Sequence, residues 1–197
     1  MIALLACTTL HTVDGARTLE PGQVQVGAVG SVQGRQNAAS VATGIPIAQG
    51  ELAFRVGLVE DVDIGTRVYI GGLYADLRYR FAQRGRWHFA VAPGMGGMML
   101  PIPALPAGVL DFRVPVRATR ELGDIWDLSA GVTPMGRRQL GAFDTYLGTN
   151  GRIELRLPHF YLGAGFDWYM QPAYGYKPAW VIGMDLGFRG RSSAERR

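Results

Sequence analysis

The sequence predicts an all-β protein: a closed antiparallel up-and-down transmembrane β-barrel of about ten strands, with eight as the alternative. Three observations point there: hydrophobicity alternates with period two from Gln23 onward, the connections are short at one end and mostly long at the other, and charge is confined to one face of the alternating segments. A chain of 197 residues suits one domain. Hydrophobic residues at 48% and charged residues at 18% exclude a disordered chain. The 28 glycines follow no three-residue period, which excludes collagen, and a single cysteine excludes a disulfide scaffold. Of the 20 basic residues only Lys177 is a lysine. Water-facing surfaces usually carry many lysines, so much of this surface is expected to face something else.

The chain opens on Met1-Ile2-Ala3-Leu4-Leu5-Ala6-Cys7, an apolar run too short for a complete signal peptide. Leu4-Leu5-Ala6-Cys7 resembles a bacterial lipobox. That resemblance implies the end of an export signal and lipidation of Cys7; the competing reading is an ordinary thiol. Residues 1–22 are accordingly read as an export-signal remnant and tether, 23–188 as the barrel, and 189–197 as a basic tail.

Glu51 to Leu58 is the clearest strand, with Leu52, Phe54, Val56 and Leu58 on one face and Glu51, Arg55 and Gly57 on the other. The same scheme recurs at 63–70, 73–81, 87–95, 109–119, 125–133, 160–170 and 179–188; segments 23–33 and 146–157 follow it more weakly. Each segment has about nine to eleven residues, as a tilted membrane-crossing strand requires. With the N-terminal end called the near side, the connections 59–62, 82–86, 120–124 and 158–159 are short. On the far side 34–50, 96–108, 134–145 and 171–178 are read as long loops and 71–72 as a tight turn. Residues 87–110 contain no charge but hold Pro93, Pro101, Pro103 and Pro106. Those prolines exclude a membrane helix, so a strand followed by an apolar loop is expected.

Alternation alone does not say which face is inside. The apolar face is nearly free of charge, and its four tryptophans fall near strand ends: Trp87 and Trp126 at the near rim, Trp168 and Trp180 at the far rim. That is the placement of a membrane-interface belt. The other face combines small residues with Glu51, Asp63, Asp76, Asp111, Asp127, Glu154, Asp167 and Asp185, against Arg55, Arg67, Arg78, Arg80, Arg113, Arg117, Arg152 and Arg156. Such a set suits a narrow lumen in which arginines and carboxylates interlock.

The stretches Glu51-Leu-Ala-Phe-Arg-Val-Gly-Leu-Val-Glu-Asp-Val-Asp-Ile-Gly-Thr-Arg67 and Leu73-Tyr-Ala-Asp-Leu-Arg-Tyr-Arg-Phe81 resemble the strand–turn–strand phrase of small bacterial outer-membrane β-barrel proteins. The resemblance covers 23–188 and implies an outer-membrane location in a Gram-negative bacterium, a bilayer partner, and contact with lipopolysaccharide or small solutes. It departs at the C-terminus, where a basic tail follows the aromatic Phe188.

The function expected is passive: an envelope structural protein or a narrow channel for small solutes. A soluble lipocalin-like barrel for a small hydrophobic ligand is the alternative from another class. A barrel-embedded lipid-modifying enzyme is the third reading, and no Gly-x-Ser-x-Gly, His-Glu-x-x-His or phosphate loop supports it. His11, His88, His159 and Cys7 are too scattered for a metal site, so no metal or cofactor is expected. The arginines are interleaved with acids rather than clustered, which argues against nucleic acid; Arg137-Arg138 is read as a small far-side loop pair. Met98, Met99, Leu100, Ile102 and Leu105 form the candidate lid or ligand-facing patch in the far-side loop, joined by a far-side aromatic set of Tyr169, Tyr174 and Tyr176.

Overall fold

The computed structural model describes residues 11, 14–35, 47–100, 107–139, 142–171 and 179–191. The strands are β1 (Gln23–Arg35), β2 (Ile47–Val59), β3 (Val62–Tyr69), β4 (Gly72–Arg84), β5 (Trp87–Val91), β6 (Gly94–Leu100), β7 (Ala107–Arg113), β8 (Val116–Leu122), β9 (Trp126–Gln139), β10 (Ala142–Arg156), β11 (Phe160–Met170) and β12 (Ala179–Arg191). All neighbours are antiparallel, and β1 pairs β12 from Gln23↔Arg191 to Arg35↔Ala179, which closes the sheet.

These strands make ten staves. Pro93 separates β5 from β6 and Pro115 separates β7 from β8, because proline has no N–H for the ladder. Yet β4 pairs both β5 and β6, and β9 pairs both β7 and β8. The breaks are bridged by Leu77 N–H to the Pro93 carbonyl at 3.0 Å, Ala92 N–H to Pro115 at 2.9 Å and Val114 N–H to Pro134 at 3.0 Å. Segments 23–33 and 146–157 both lie in the wall, so the eight-strand alternative falls and the ten-strand reading holds.

The near-side turns are tight. Between β2 and β3, Asp61 adopts a left-handed φ of 66°, a conformation asparagine and aspartate tolerate better than most residues. Its carboxylate also accepts from Arg80 Nε at 2.6 Å. Two far-side expectations are corrected. Residues 134–145 are not a long loop: β9 runs to Gln139 and β10 starts at Ala142. Residues 96–100 and 107–108 belong to the paired strands β6 and β7, joined from Gly94↔Arg113 to Leu100↔Ala107. In both stretches the alternating pattern continues beyond the apparent loop start, and antiparallel pairing satisfies backbone groups that a loop would leave to water.

The barrel is apolar outside and polar within. Leu52, Phe54, Ile64, Leu77, Val132, Ile153, Phe166 and Leu186 are exposed, whereas Arg55, Asp63, Arg78, Asp111, Arg152 and Asp185 are buried. A soluble lipocalin-like barrel has the reverse arrangement, and that alternative is excluded by the orientation of these side chains. Bilayer hydrocarbon accepts the exposed face and demands its freedom from charge.

Candidate functional site

The lumen is filled by rows of charge that cross the staves, and glycines make the rows possible. Arg55 on β2 stands beside Gly65 on β3, which stands beside Asp76 on β4. With no side chain on Gly65, Arg55 Nη2 reaches over it and donates to Asp76 Oδ1 at 2.5 Å; a Cβ at Gly65 would strike the guanidinium. The same device recurs in the row Glu154–Gly163–Asp185. There the Arg152 guanidinium lies over Gly163, donating from Nη2 to Glu154 Oε2 at 2.9 Å and to Asp185 Oδ2 at 2.8 Å. Arg189 Nη2 completes this cluster with a 2.5 Å bond to Glu154 Oε1.

Asp63 is the most heavily used carboxylate. It accepts from Arg55, from Arg78 Nη2 at 2.6 Å, and from the Leu19 backbone N–H at 2.9 Å. Toward the far side, Asp111 accepts from Arg137 Nε at 2.6 Å and from Arg113 Nη2 at 3.1 Å. Arg67 and Arg113 lie over the Tyr74 ring, 4.5 and 5.0 Å from its centroid. At the near rim, Arg80 pairs with Asp61, Arg156 Nη1 lies 3.3 Å from Asp127 Oδ2, and Glu121 accepts from Arg17 and contacts His88 Nε2 at 2.9 Å. Glu51 is buried 3.8 Å from Arg67. The charged residues picked from the sequence thus all line the interior, joined by Arg137, which the sequence reading put in a loop. Its inward position follows from the extension of β9, where it alternates with Gly136 and Arg138; Arg138 points outward.

The segment read as a tether occupies the lumen. From the near-rim turn at Pro21–Gly22 it runs inward, held by contacts along its length. Gly57 has no side chain where the Leu19–Glu20 backbone crosses β2. Arg17 pairs with Glu121, Ala16 N–H donates to Thr119 Oγ1 at 2.6 Å, and Arg78 Nη1 donates to the Gly15 carbonyl at 3.0 Å. Asp14 Oδ2 accepts from Arg55 Nη2 at 3.0 Å, and the Asp14 carbonyl accepts from Arg117 Nη1 at 2.9 Å. Further in, the His11 ring rests on the paired glycines Gly165 and Gly183, its Nδ1 is 2.9 Å from Asp167 Oδ2, and its carbonyl accepts from Arg67 Nη1 at 2.7 Å. Burial alone would raise the Asp14 carboxyl; Arg55, Arg78, Arg117 and Arg152 together outweigh it and hold the group well below the usual carboxylate range. Sequence reasoning missed this segment because it has no periodicity. Only its isolated titratable residues, His11, Asp14 and Arg17 among them, hinted at partners in the barrel.

Trp87 and Trp126 lie exposed at the near rim, and Trp168 pairs with Trp180 near the far rim. Trp87 stacks on Phe89 at 6.3 Å between centroids, with Arg120 5.6 Å above its ring. The methionine patch is corrected. Met98 is a strand residue pointing inward, buried with Tyr69 and Tyr74, while Met99 is its outward neighbour and 73% exposed. Leu100 ends β6. Met98 and Met99 therefore share no face, because a strand sends successive side chains to opposite sides. Tyr169 lies in the lumen with Met135, Tyr146 and Val181. Ile102, Leu105, Tyr174, Tyr176 and Cys7 lie outside the described residues. Below the segment, at the near rim, a cavity of about 450 Å³ is lined by Asp14, Arg17, Arg78, Asp127, Glu154, Arg156 and Arg189 among others. Among the described residues no group of three or more His, Cys, Asp or Glu is placed to hold a metal ion.

An apolar belt with tryptophans toward its edges, around a closed cylinder of paired charges, defines a transmembrane β-barrel of the outer-membrane kind. No protein-family model matches the chain, and no curated protein matches it. Among solved structures it is similar to Ail, the attachment invasion locus protein of Yersinia pestis, at 12% identity and a TM-score of 0.42 over 86% of this chain and 99% of that one. It is similar to neisserial surface protein A at 12% identity and 0.42, over 86% and 96%. It is similar to OprG of Pseudomonas aeruginosa at 8% and 0.43, over 91% and 100%.

Proposed function

We infer that the protein is an integral outer-membrane barrel of a Gram-negative envelope whose role is structural and non-catalytic, with a lumen kept shut by its own N-terminal segment. The observation that supports this reading most is the seating of His11 and Asp14 among wall arginines and Asp167. A water-filled pore needs a continuous polar path, and here guanidiniums, carboxylates and an inserted backbone fill it. Buried ion pairs are weak evidence for stability. Their role in this reading is to satisfy polar groups that hydrocarbon cannot accept. The bilayer is the partner, with lipopolysaccharide expected against the outward face of the far rim.

The test is electrical. Full-length protein reconstituted into planar bilayers should give flat current traces across the applied voltages. Discrete conductance steps would overturn the closed reading in favour of a narrow passive channel for small solutes. That second reading is favoured by one feature, the near-rim cavity, which already opens part of the lumen to solvent.

A further inference from the structure

We propose that Arg55, Arg78 and Arg117 form an oxyanion-binding station in the lumen, fitted to a small carboxylate and occupied in the resting protein by the chain's own Asp14. The proposal rests on the reading of the lumen as filled by the N-terminal segment, and goes beyond it by assigning a ligand chemistry to the place the segment fills.

Charge balance carries the argument. Around Asp14 the wall supplies Arg55, Arg78 and Arg117 against Asp63 and Asp76, while the fourth arginine acting on it, Arg152, is already paired with Asp185 and Glu154. Arg55 contacts both carboxylates and Arg78 pairs with Asp63. Arg117, 8% exposed, pairs with no wall carboxylate among the described residues, and its Nε has no partner. The wall alone therefore leaves one positive charge, and the segment's one carboxylate at this level cancels it. A buried charge without a counter-charge is costly, so a barrel whose segment has moved aside must recruit an anion to the same place.

Geometry says which anion. Arg55 donates to the Asp14 carboxylate, Arg78 lies 3.9 Å from its other oxygen, and Arg117 and Arg78 hold the adjacent backbone carbonyls. One arginine on each of two oxygens of a single acceptor, with a third beside them, matches a carboxylate. Gly65 lets the Arg55 guanidinium lie across β3, where a side chain would displace it from the station. Access is present as well: Asp14 and Arg78 line the cavity that opens at the near rim, so a small solute can approach the station from that side.

The experiment is chemical rescue in the full chain. Asp14→Ala removes the internal carboxylate and leaves room for a free one. The folded barrel is followed by its heat-induced mobility shift in detergent, in formate or acetate against chloride at equal ionic strength. Asp14→Ala in chloride should unfold several degrees below the parent, formate or acetate should recover most of that loss, and the parent should not respond. A destabilised variant that formate leaves unchanged, or that chloride rescues equally, overturns the station. A variant as stable as the parent overturns the seating of the segment itself, and the closed-lumen reading with it. If Asp14→Ala refolds poorly in chloride, refolding yield in formate replaces the midpoint: a higher yield supports the station, and equal failure in both salts overturns it.

Discussion

The Asp111 cluster and the Asp63 cluster solve the same problem in different ways. Both put arginine in a buried lumen. Asp111 meets Arg113 from its own strand and Arg137 from the neighbouring β9, so wall register alone supplies its partners. Asp63 meets Arg55 and Arg78 from the wall, but it also accepts from Leu19, and the arginines around it reach Asp14 and Gly15 of the inserted segment. The lesson is one of hierarchy: the charges around Asp111 belong to the barrel, while those around Asp63 belong to the barrel together with its plug.

The comparison breaks most visibly at Asp111. Asp111→Ala takes a carboxylate from two buried arginines, and losing one partner of a buried pair costs about 3–5 kcal/mol. Urea titration of the barrel in lipid vesicles should show that loss without any change in how the segment sits. A loss under about 1 kcal/mol would mean these arginines are satisfied by water, against their burial. On the outer face, Leu77→Arg puts a charge into hydrocarbon and should cost about 2–4 kcal/mol, where the same substitution at the rim costs about 0–1. Equal costs at both depths would contradict the belt.

The segment can be moved without touching a charge. A side chain at Gly183 collides with the His11 ring, so Gly183→Val should expel the inner end of the segment while the barrel still folds. Ala16→Cys, in a Cys7→Ser background, reports on this, because Ala16 is fully buried. The thiol should be unreactive toward maleimide in the parent barrel and should label as a free thiol once Gly183→Val is added. Lowering the pH to 5 should leave it protected. A carboxyl whose native pKa is depressed stabilises the folded state above its unfolded value of 3.8, and that contribution is lost only as pH falls through the lower native value. Labelling that appears at pH 5 would assign the seat to a different titrating group.

Much of the wall was legible because its physics is local. Leu52, Phe54 and Val56 alternate with Ala53 and Arg55 in any register, and lipid on one side forces that pattern. What was not legible depends on register or on partners distant in sequence. Gly65 and Gly163 read as small residues suited to a narrow lumen, but only strand pairing sets them between an arginine and an acid. Residues 134–139 read as a loop because Pro134 and Gly136 interrupt the composition, yet Arg137 faces inward to Asp111. The segment 14–20 carries no period, since an inserted strap bonds through its backbone and two side chains, and no local pattern encodes that.

The smallest expected effect lies at the near rim and sharpens the boundary between the two regions. Arg17 and Glu121 are 34% and 24% exposed, so water screens their pair as it does not screen Asp63. Exposed pairs are worth about 0.2–1 kcal/mol. Glu121→Gln should therefore shift barrel stability by no more than that, and the shift should shrink further at high salt. Thiol protection at position 16 should survive it, because Ala16 is held through Thr119 and its neighbour Gly15 through Arg78. If Glu121→Gln instead exposes that thiol, the plug is anchored at the rim rather than at mid-lumen, and the division between a self-sufficient far half and a strap-dependent middle has to be redrawn around Arg17.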